Sequence, residues 1–449
     1  YYDLVIEVAI VRPGPIQGGM VHPYLRNREK LRRGQPIDDP YPALGPALAR
    51  TLGVPIFQEQ VMQIAMIAAG FSPDRADRLR RAMAAWKRAG GVDVFRDELV
   101  EGMVGNGYDR VFAESVFKQI EGFGEYGFPE SHAASFALLV SASCWLKHHE
   151  PACFLAALLD AQPMGFYSAS QLVQDARRHD VEVRPVDVTA SGLDSTLEPA
   201  ARPGAGGHPA VRLGLRRIAS LSEAGARRLL EARATAPFAD VEDLALRAGL
   251  DGGDMAALAA ADALATLAGH RRQQVWEATA HRRAPPGLLA GVPIHEAALA
   301  LPAASEGEEI VGDYAALGLT LRRHPLALLR PRMARLRLLS AQELDRLPHG
   351  QVVRACGIVT MRQRPQTAHG TLFVSLEDET GIVNVIVWRD LVEAQREPLL
   401  KARLLAVRGV WQRDIETGGR VRHLLAHGFR DLTPWLGRLA DHPRSRDFH

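Results

Sequence analysis

LRRAMAAWKR, residues 79–88, sets two adjacent arginines and a lysine within a run whose apolar positions fall at helical spacing. The spacing predicts a helix starting near Ser72-Pro73-Asp74, where Ser72 can cap exposed amides and Pro73 suits the first helical position. Arg80, Arg81 and Lys87 then lie one to two turns inside it. An arginine offers phosphate oxygens a rigid fork of donors, each charge-assisted hydrogen bond contributing roughly 1.5 to 3 kcal/mol. A pair of them can hold a triphosphate. The same spacing also serves a solvated basic face balanced by Asp74 and Asp77, and on spacing alone both readings stand.

Outward from this helix, residues 1–162 read as one α-rich domain, with apolar residues at helical spacing over 61–69, 111–120 and 133–147. The apolar stretch 4–11 reads as core, and Tyr1 as a truncation point with more of the protein upstream. Glycine and proline cluster at 12–15, 45–46 and 122–127, where the backbone must turn sharply or approach something closely. Residues 163–200 read as a short α/β connection: a helix over 168–179, then an extended 181–188 whose Pro185 suits an edge strand. Short helices over 222–234, 241–248, 253–260 and 261–268 make residues 201–284 a small helical module of helix-hairpin-helix size. Residues 285–345 open Ala-, Pro- and Glu-rich and read as a linker.

The last module is β. Five strands are predicted over 352–360, 371–376, 382–388, 404–411 and 420–426, with a helix over 390–397 between the third and fourth. That is the order of an OB barrel, set at residues 346–432 and followed by a tail over 433–449. Trp388, Trp411, Phe373 and Phe429 are candidate stacking faces for unpaired bases, with Arg408 beside them as a phosphate contact. Most aromatics in a small barrel are core, so each position has that second reading.

Composition fits this modular plan. A chain of 449 residues exceeds what one hydrophobic core serves, and two to four domains are expected. No apolar stretch reaches bilayer-spanning length, and three cysteines make no disulfide framework, so no membrane association and a reducing cytoplasm are expected. The net charge of +2 hides an asymmetry: residues 311–449 hold 22 Lys/Arg against 14 Asp/Glu, a surplus of 8 that leaves −6 for residues 1–310. A basic C-terminal third suits a polyanionic partner or simply solubility.

Several strings, taken in order, resemble one family. RPGPIQGGMV at 12–21, GVPIFQEQVMQIA at 53–65, LRRAMAAWKRAGG at 79–91 and FPESHAASFALLVSASCWLKHHEPACFLAALL at 128–159 resemble the fingers region of bacterial C-family DNA polymerases. QPMGFYSASQLVQDARRHDVEVRPVDV at 162–188, GHRRQ at 269–273 and the terminal SRDFH resemble the error-prone, ImuC-type branch of these DNA polymerase III alpha subunits. The similarity covers nearly the whole chain. It implies a multidomain protein with an α-rich fingers domain, a helix-hairpin-helix-like module and a C-terminal OB-fold barrel. It also implies template-directed addition of deoxynucleoside triphosphates, with Arg80, Arg81 and Lys87 on the incoming nucleotide and Ser131 and His132 beside it and the templating base. Gln58, Glu59 and Gln60 would support the scaffold.

Phosphoryl transfer needs metal ions clamped by carboxylates. The resemblance assigns these to a palm domain with a Pro-Asp-x-Asp-x-Asp string, which is missing here. The expectation is that the Mg2+ ligands lie upstream of Tyr1 and that this chain alone does not polymerise. The densest acidic cluster, Glu377-Asp378-Glu379, reads instead as a solvated turn. Cys144, His148, His149 and Cys153 have metal-like spacing, but the resemblance makes that segment a buried helix. The hairpin candidate at 218–225 carries Ser220 and Ser222 where such motifs carry glycines, which puts its phosphate contact in question. No Gln-led clamp-docking segment stands between 285 and 350, so the implied partners are a DNA primer-template, an ImuB-type accessory protein and a sliding clamp reached indirectly. The rival readings are a replicative alpha subunit, a non-enzymatic single-stranded-DNA-binding accessory protein, and a tRNA-binding accessory that rests on the barrel alone.

Overall fold

The computed structural model describes residues 1–11, 21–37, 41–89, 93–123, 129–165, 167–201, 207–280, 299–365, 368, 370–414, 419–441 and 446–448, with the side chains of 84–89, 93–94, 121–123, 280 and 446–448 left out. The chain divides into two compact units, Tyr1–Trp145 and Leu146–His449.

The first unit is helical: α1 (Tyr2–Ile10), α2 (Val21–Arg32), α3 (Gly45–Leu48), α4 (Gln58–Ala69), α5 (Pro73–Ala89), α6 (Asp93–Gly105), α7 (Arg110–Phe123) and α8 (Glu130–His149). Ile56, Phe57, Ile64, Leu79, Met83, Leu99, Met103 and Ile120 fill its core. The predicted core segment at 4–11 is α1, which buries Val5, Ile6, Ala9 and Ile10. Helix α4 is the hub. Gln60 is 4% exposed; its Oε1 accepts from the amides of Ile56 and Phe57, and its Nε2 donates to Ala47 O and Thr51 Oγ1. One side chain thus satisfies two amides and a carbonyl that would otherwise be buried without partners. On another face of α4, a Cβ at Gly102 of α6 would come within 2.6 Å of Ala69 O, so only glycine permits this approach.

Helix α8 departs from expectation. Only Ala133 and Ala137 are buried along it, whereas Leu138, Leu139 and Trp145 are 61 to 62% and 56% exposed. Its apolar residues are spread around the axis rather than gathered in one stripe, so packing covers only the first turns. The boundary expected at 162 also falls elsewhere: α9 (Pro151–Asp160) packs Ala152, Leu155 and Leu159 into the core of the second unit.

After α9 the second unit continues with α10 (Ala169–Arg178), β1 (Val183–Arg184), β2 (Thr196–Glu198) and β3 (Ala210–Arg212), the strands ordered β1-β3-β2, which leaves the Pro185 strand at an edge. Helices α11 (Glu223–Thr235), α12 (Val241–Ala248), α13 (Gly252–Ala260), α14 (Ala265–Ala268) and α15 (Arg271–Ala280) follow.

The segment expected to be a linker, 285–345, is corrected over its second half. Residues 281–298 lie outside the described residues, but α16 (Glu306–Leu317), α17 (Pro325–Arg335) and α18 (Ala341–Asp345) are packed helices. Ser305 and Glu308 form a capping box at the start of α16, and Ile310, Leu326 and Met333 are buried.

The barrel comprises β4 (Val352–Gln363), β5 (Leu372–Glu377), β6 (Ile382–Val387), α19 (Arg389–Ala394), α20 (Arg396–Lys401), β7 (Leu404–Arg413) and β8 (Arg422–Asp431). Strand order β5-β6-β8-β7-β4 with a further β4–β5 pairing closes five strands into a barrel. Strand β4 can serve both neighbours because a register shift between Val359 and Met361 bends it.

The expected tail is also corrected. Residues Thr433–Asp441 form a 3-10 turn that buries Leu436 and Leu439 against Cys356, Ile358 and Leu404, and β9 (Arg446–Phe448) pairs with the end of β4. The acidic cluster is not a solvated turn: Glu377 and Asp378 are 6% and 4% exposed. Asp378 accepts from the amides of Ala341, Thr380 and Gly381, and Arg330 of α17 pairs with Glu379 at 2.5 Å.

Candidate functional site

Helix α5 begins as read from the sequence, with Ser72 Oγ accepting from Arg75 N at 3.2 Å. Arg75 ties α5 to α6 through Glu98, its guanidinium lying 4.3 Å from the Phe95 ring centre. Leu79 and Met83 fix the inner face of α5 against α4, turning Arg80 and Arg81 outward, 35% and 74% exposed. The two arginines meet at one carboxylate: Arg80 Nη2 lies 2.8 Å from Asp77 Oδ1, and Arg81 Nη2 2.6 Å from Oδ2. Hydrogen bonds from Arg80 first, and then from Arg81, hold the Asp77 carboxyl below the usual carboxylate range. Asp77 thus occupies both forks with two oxygens, as an anionic ligand would. The helix continues through Lys87, whose side chain lies outside the described residues.

Ser131 and His132 open α8. Glu59 Oε2 accepts from the Glu130 amide at 3.0 Å, placing a carboxylate where the exposed amides of the helix start favour negative charge. Glu130 accepts from the Tyr2 hydroxyl at 2.7 Å, and burial with this carboxylate pushes the phenol up to about 12. Ser131 is exposed; His132 is half-buried, its ring 4.6 Å from that of Phe136. Helix α4 therefore supports both groups of candidates, α5 by packing and α8 through Glu59.

In the hairpin, Ser220 adopts φ +66, the left-handed conformation for which glycine is ordinarily required. Ser222 caps α11, its Oγ accepting from Gly225 N at 2.9 Å. Its own amide donates to Asp254 Oδ1 at 2.9 Å, and its hydroxyl to Oδ2 at 3.0 Å. Asp254, 3% exposed, thus takes the donors of the second glycine position, and the hairpin keeps its shape while its amide is engaged internally.

The barrel separates the aromatic candidates. Trp388 and Phe373 are 56% and 38% exposed on the β5–β6 wall, where Phe373 stands opposite Ile386. Trp411 is 3% exposed and belongs to the core, so it is removed as a stacking face. Period two along β7 carries the signal: Trp411 shares parity with the buried Leu405 and Val407. Phe429 is half-buried against the core. Arg408 is exposed, but on the β4–β7 wall, apart from Trp388 and Phe373. Among the described residues no three His, Cys, Asp or Glu side chains gather to hold a metal ion.

Comparison with known proteins agrees with this order of modules. Residues 1–107 match the bacterial DNA polymerase III alpha subunit finger domain, 180–274 a helix-hairpin-helix motif and 353–432 an OB-fold nucleic acid binding domain. The first of these matches is to bacterial DNA polymerase III alpha chains, and the other two are to nucleic-acid-binding modules. Over its whole length the chain is similar to part of the proteins named error-prone DNA polymerase. It is 59% identical to the Error-prone DNA polymerase of Ralstonia nicotianae, and 57% identical to those of Bordetella bronchiseptica and Alkalilimnicola ehrlichii. Each alignment covers all of this chain and 42% of the relative, so the chain spans less than half the length of these curated relatives. The replicative and accessory alternatives are not favoured by these relatives. Among solved structures, asparaginyl-tRNA synthetase from Pyrococcus horikoshii aligns with 21% of this chain and 23% of its own, at 23% identity and a TM-score of 0.18.

Proposed function

We propose that this chain supplies nucleotide and template binding to an error-prone, DNA-directed DNA polymerase acting in damage-tolerant synthesis. The observation that carries the proposal is the arginine pair of α5, both forks converging on one carboxylate, inside an end-to-end match to error-prone polymerases. Arg80, Arg81 and Lys87 bind the triphosphate of an incoming deoxynucleotide, which exchanges for Asp77. Ser131 and His132 at the start of α8 line the nucleotide and templating base. Trp388 and Phe373 stack unpaired template bases. The donor set described here does not fit a metal, so no step of nucleotidyl transfer is derived through one; in this reading the carboxylates that hold Mg2+ are supplied from outside this chain. Partners in this reading are a DNA primer-template and an ImuB-type protein that leads to the sliding clamp. Three free cysteines, and the absence among the described residues of any helix long and apolar enough to cross a membrane, fit action in the cytoplasm.

The test is steady-state primer extension by the full-length polymerase carrying Arg80→Ala with Arg81→Ala. Losing two charge-assisted contacts raises the KM for deoxynucleotide by about 100-fold or more, while primer-template affinity is retained. An unchanged KM would sink the assignment of the pair.

A further inference from the structure

Arg354 of β4 and Arg408 of β7 are directly opposite each other in antiparallel register, and both are exposed. Like charges so placed repel and cost stability. Arg337, held at φ +55 just after α17, and Arg430 of β8 extend the same wall. Among the described residues, no carboxylate lies within ion-pair distance of any of these four, whereas Arg271, Arg322, Arg330 and Arg422 of the same unit each have one.

The four line two adjoining grooves that share Arg354 and Arg408. One, of about 380 Å³, also takes in Arg430, Leu336, Leu338 and Phe429; the other, of about 510 Å³, takes in Arg337 and Leu347. Among the described residues no carboxylate lines either. A β-bulge at His427 of β8 sits beside Arg408, since the partners of Arg408 and Gly409 are Gly428 and Ala426. Bulges of this kind re-aim side chains. Gly409 is required there, because any Cβ would overlap the carbonyl of Leu425.

We propose that this β4–β7–β8 wall is a second nucleic-acid site, which binds the phosphodiester backbone of single-stranded DNA. It is separate from the aromatic β5–β6 wall. A row of unpaired arginines beside an apolar groove with one aromatic edge, Phe429, is the chemistry that tracks a flexible polyanion and seats a base without reading its identity. The bound phosphates neutralise the opposed pair Arg354 and Arg408. The four arginines amount to half of the surplus of 8 positive charges in residues 311–449. The inference rests on the reading of this chain as a DNA-binding protein.

The test measures binding of a fluorescein-labelled, mixed-sequence oligodeoxynucleotide to the 449-residue chain by anisotropy across a salt series. Replacing all four arginines by glutamine weakens binding and reduces the salt slope by about 3, at roughly 0.7 per phosphate contact for single strands. The four lysine replacements keep the slope. Trp388→Ala with Phe373→Ala lowers affinity and leaves the slope intact, so the aromatic wall and the arginine wall fail separately. If the fourfold glutamine variant does not fold by circular dichroism, Arg354→Gln and Arg408→Gln are measured singly, and each lowers the slope by about 0.7. A glutamine variant that binds with the parental slope overturns the proposal.

Discussion

At the scale of single residues, Asp77 is the side chain whose removal says most. Its carboxyl is held low by Arg80 and Arg81, so the pairing is fully present above the ordinary carboxylate value near ~3.9 and is lost only as pH falls through the depressed folded value. Across neutral pH both arginines therefore rest on Asp77 unless another anion replaces it. Asp77→Asn keeps the shape and removes the competing charge. In full-length polymerase it lowers the deoxynucleotide KM several-fold, equally at pH 6 and pH 8; a KM that rises instead shows that Asp77 orients the arginines for the nucleotide. At the residue scale only positions on the fold, not roles, were legible in the sequence. Arg80 and Arg81 were legible because adjacency and a capped helix start fix their place. Between the two readings of Trp411, strand parity decides for core, because Leu405 and Val407 at the same parity mark the inward face. Arg354 carries no signal in the sequence because its meaning comes from Arg408, some fifty residues away in sequence and opposite in the sheet.

Among the elements, the hairpin at 218–225 offers a clean dissection of shape from contact. Ser220 sits in a backbone conformation costing a non-glycine residue about 1 kcal/mol, partly offset by the greater chain freedom that glycine has when unfolded. Ser220→Gly raises stability to urea by up to ~1 kcal/mol. It leaves DNA affinity unchanged, because the Ser222 amide remains bonded to Asp254. A gain in DNA affinity would show that the missing glycine, not Asp254, silences the hairpin. Elements with their own caps and period were readable: the strand positions and α12 fall where alternation and helical spacing put them. Helices α16 and α17 were hidden behind an Ala- and Pro-rich approach, and their apolar residues acquire meaning only from the barrel wall they cover.

On the scale of the second unit, α16 and α17 bind the helical module and the barrel to each other. Arg271 of α15 pairs with Glu309 at 2.8 Å and with Asp313; Arg322 reaches Asp262 at 2.8 Å and Glu309 at 3.1 Å. On the barrel side, Arg330 holds Glu379, and His324 lies 3.5 Å from Glu377. The GHRRQ string is thus a clasp, with His270 on Leu301 O and Arg272 on Glu308 as well. Removing one partner of such a buried group leaves charges uncompensated. Arg271→Met therefore destabilises by about 3 to 5 kcal/mol, and the single urea transition expected of the helical module and barrel separates into two. A single transition of unchanged midpoint would show that the network is dispensable. The approach of Arg271 depends on Gly312, where a Cβ would overlap the guanidinium. For heredity this couples a bare glycine to a distant arginine: a methyl gained at position 312 displaces the guanidinium, so a descendant that carries it keeps the fold only by loosening the grip of Arg271 on Glu309 and Asp313.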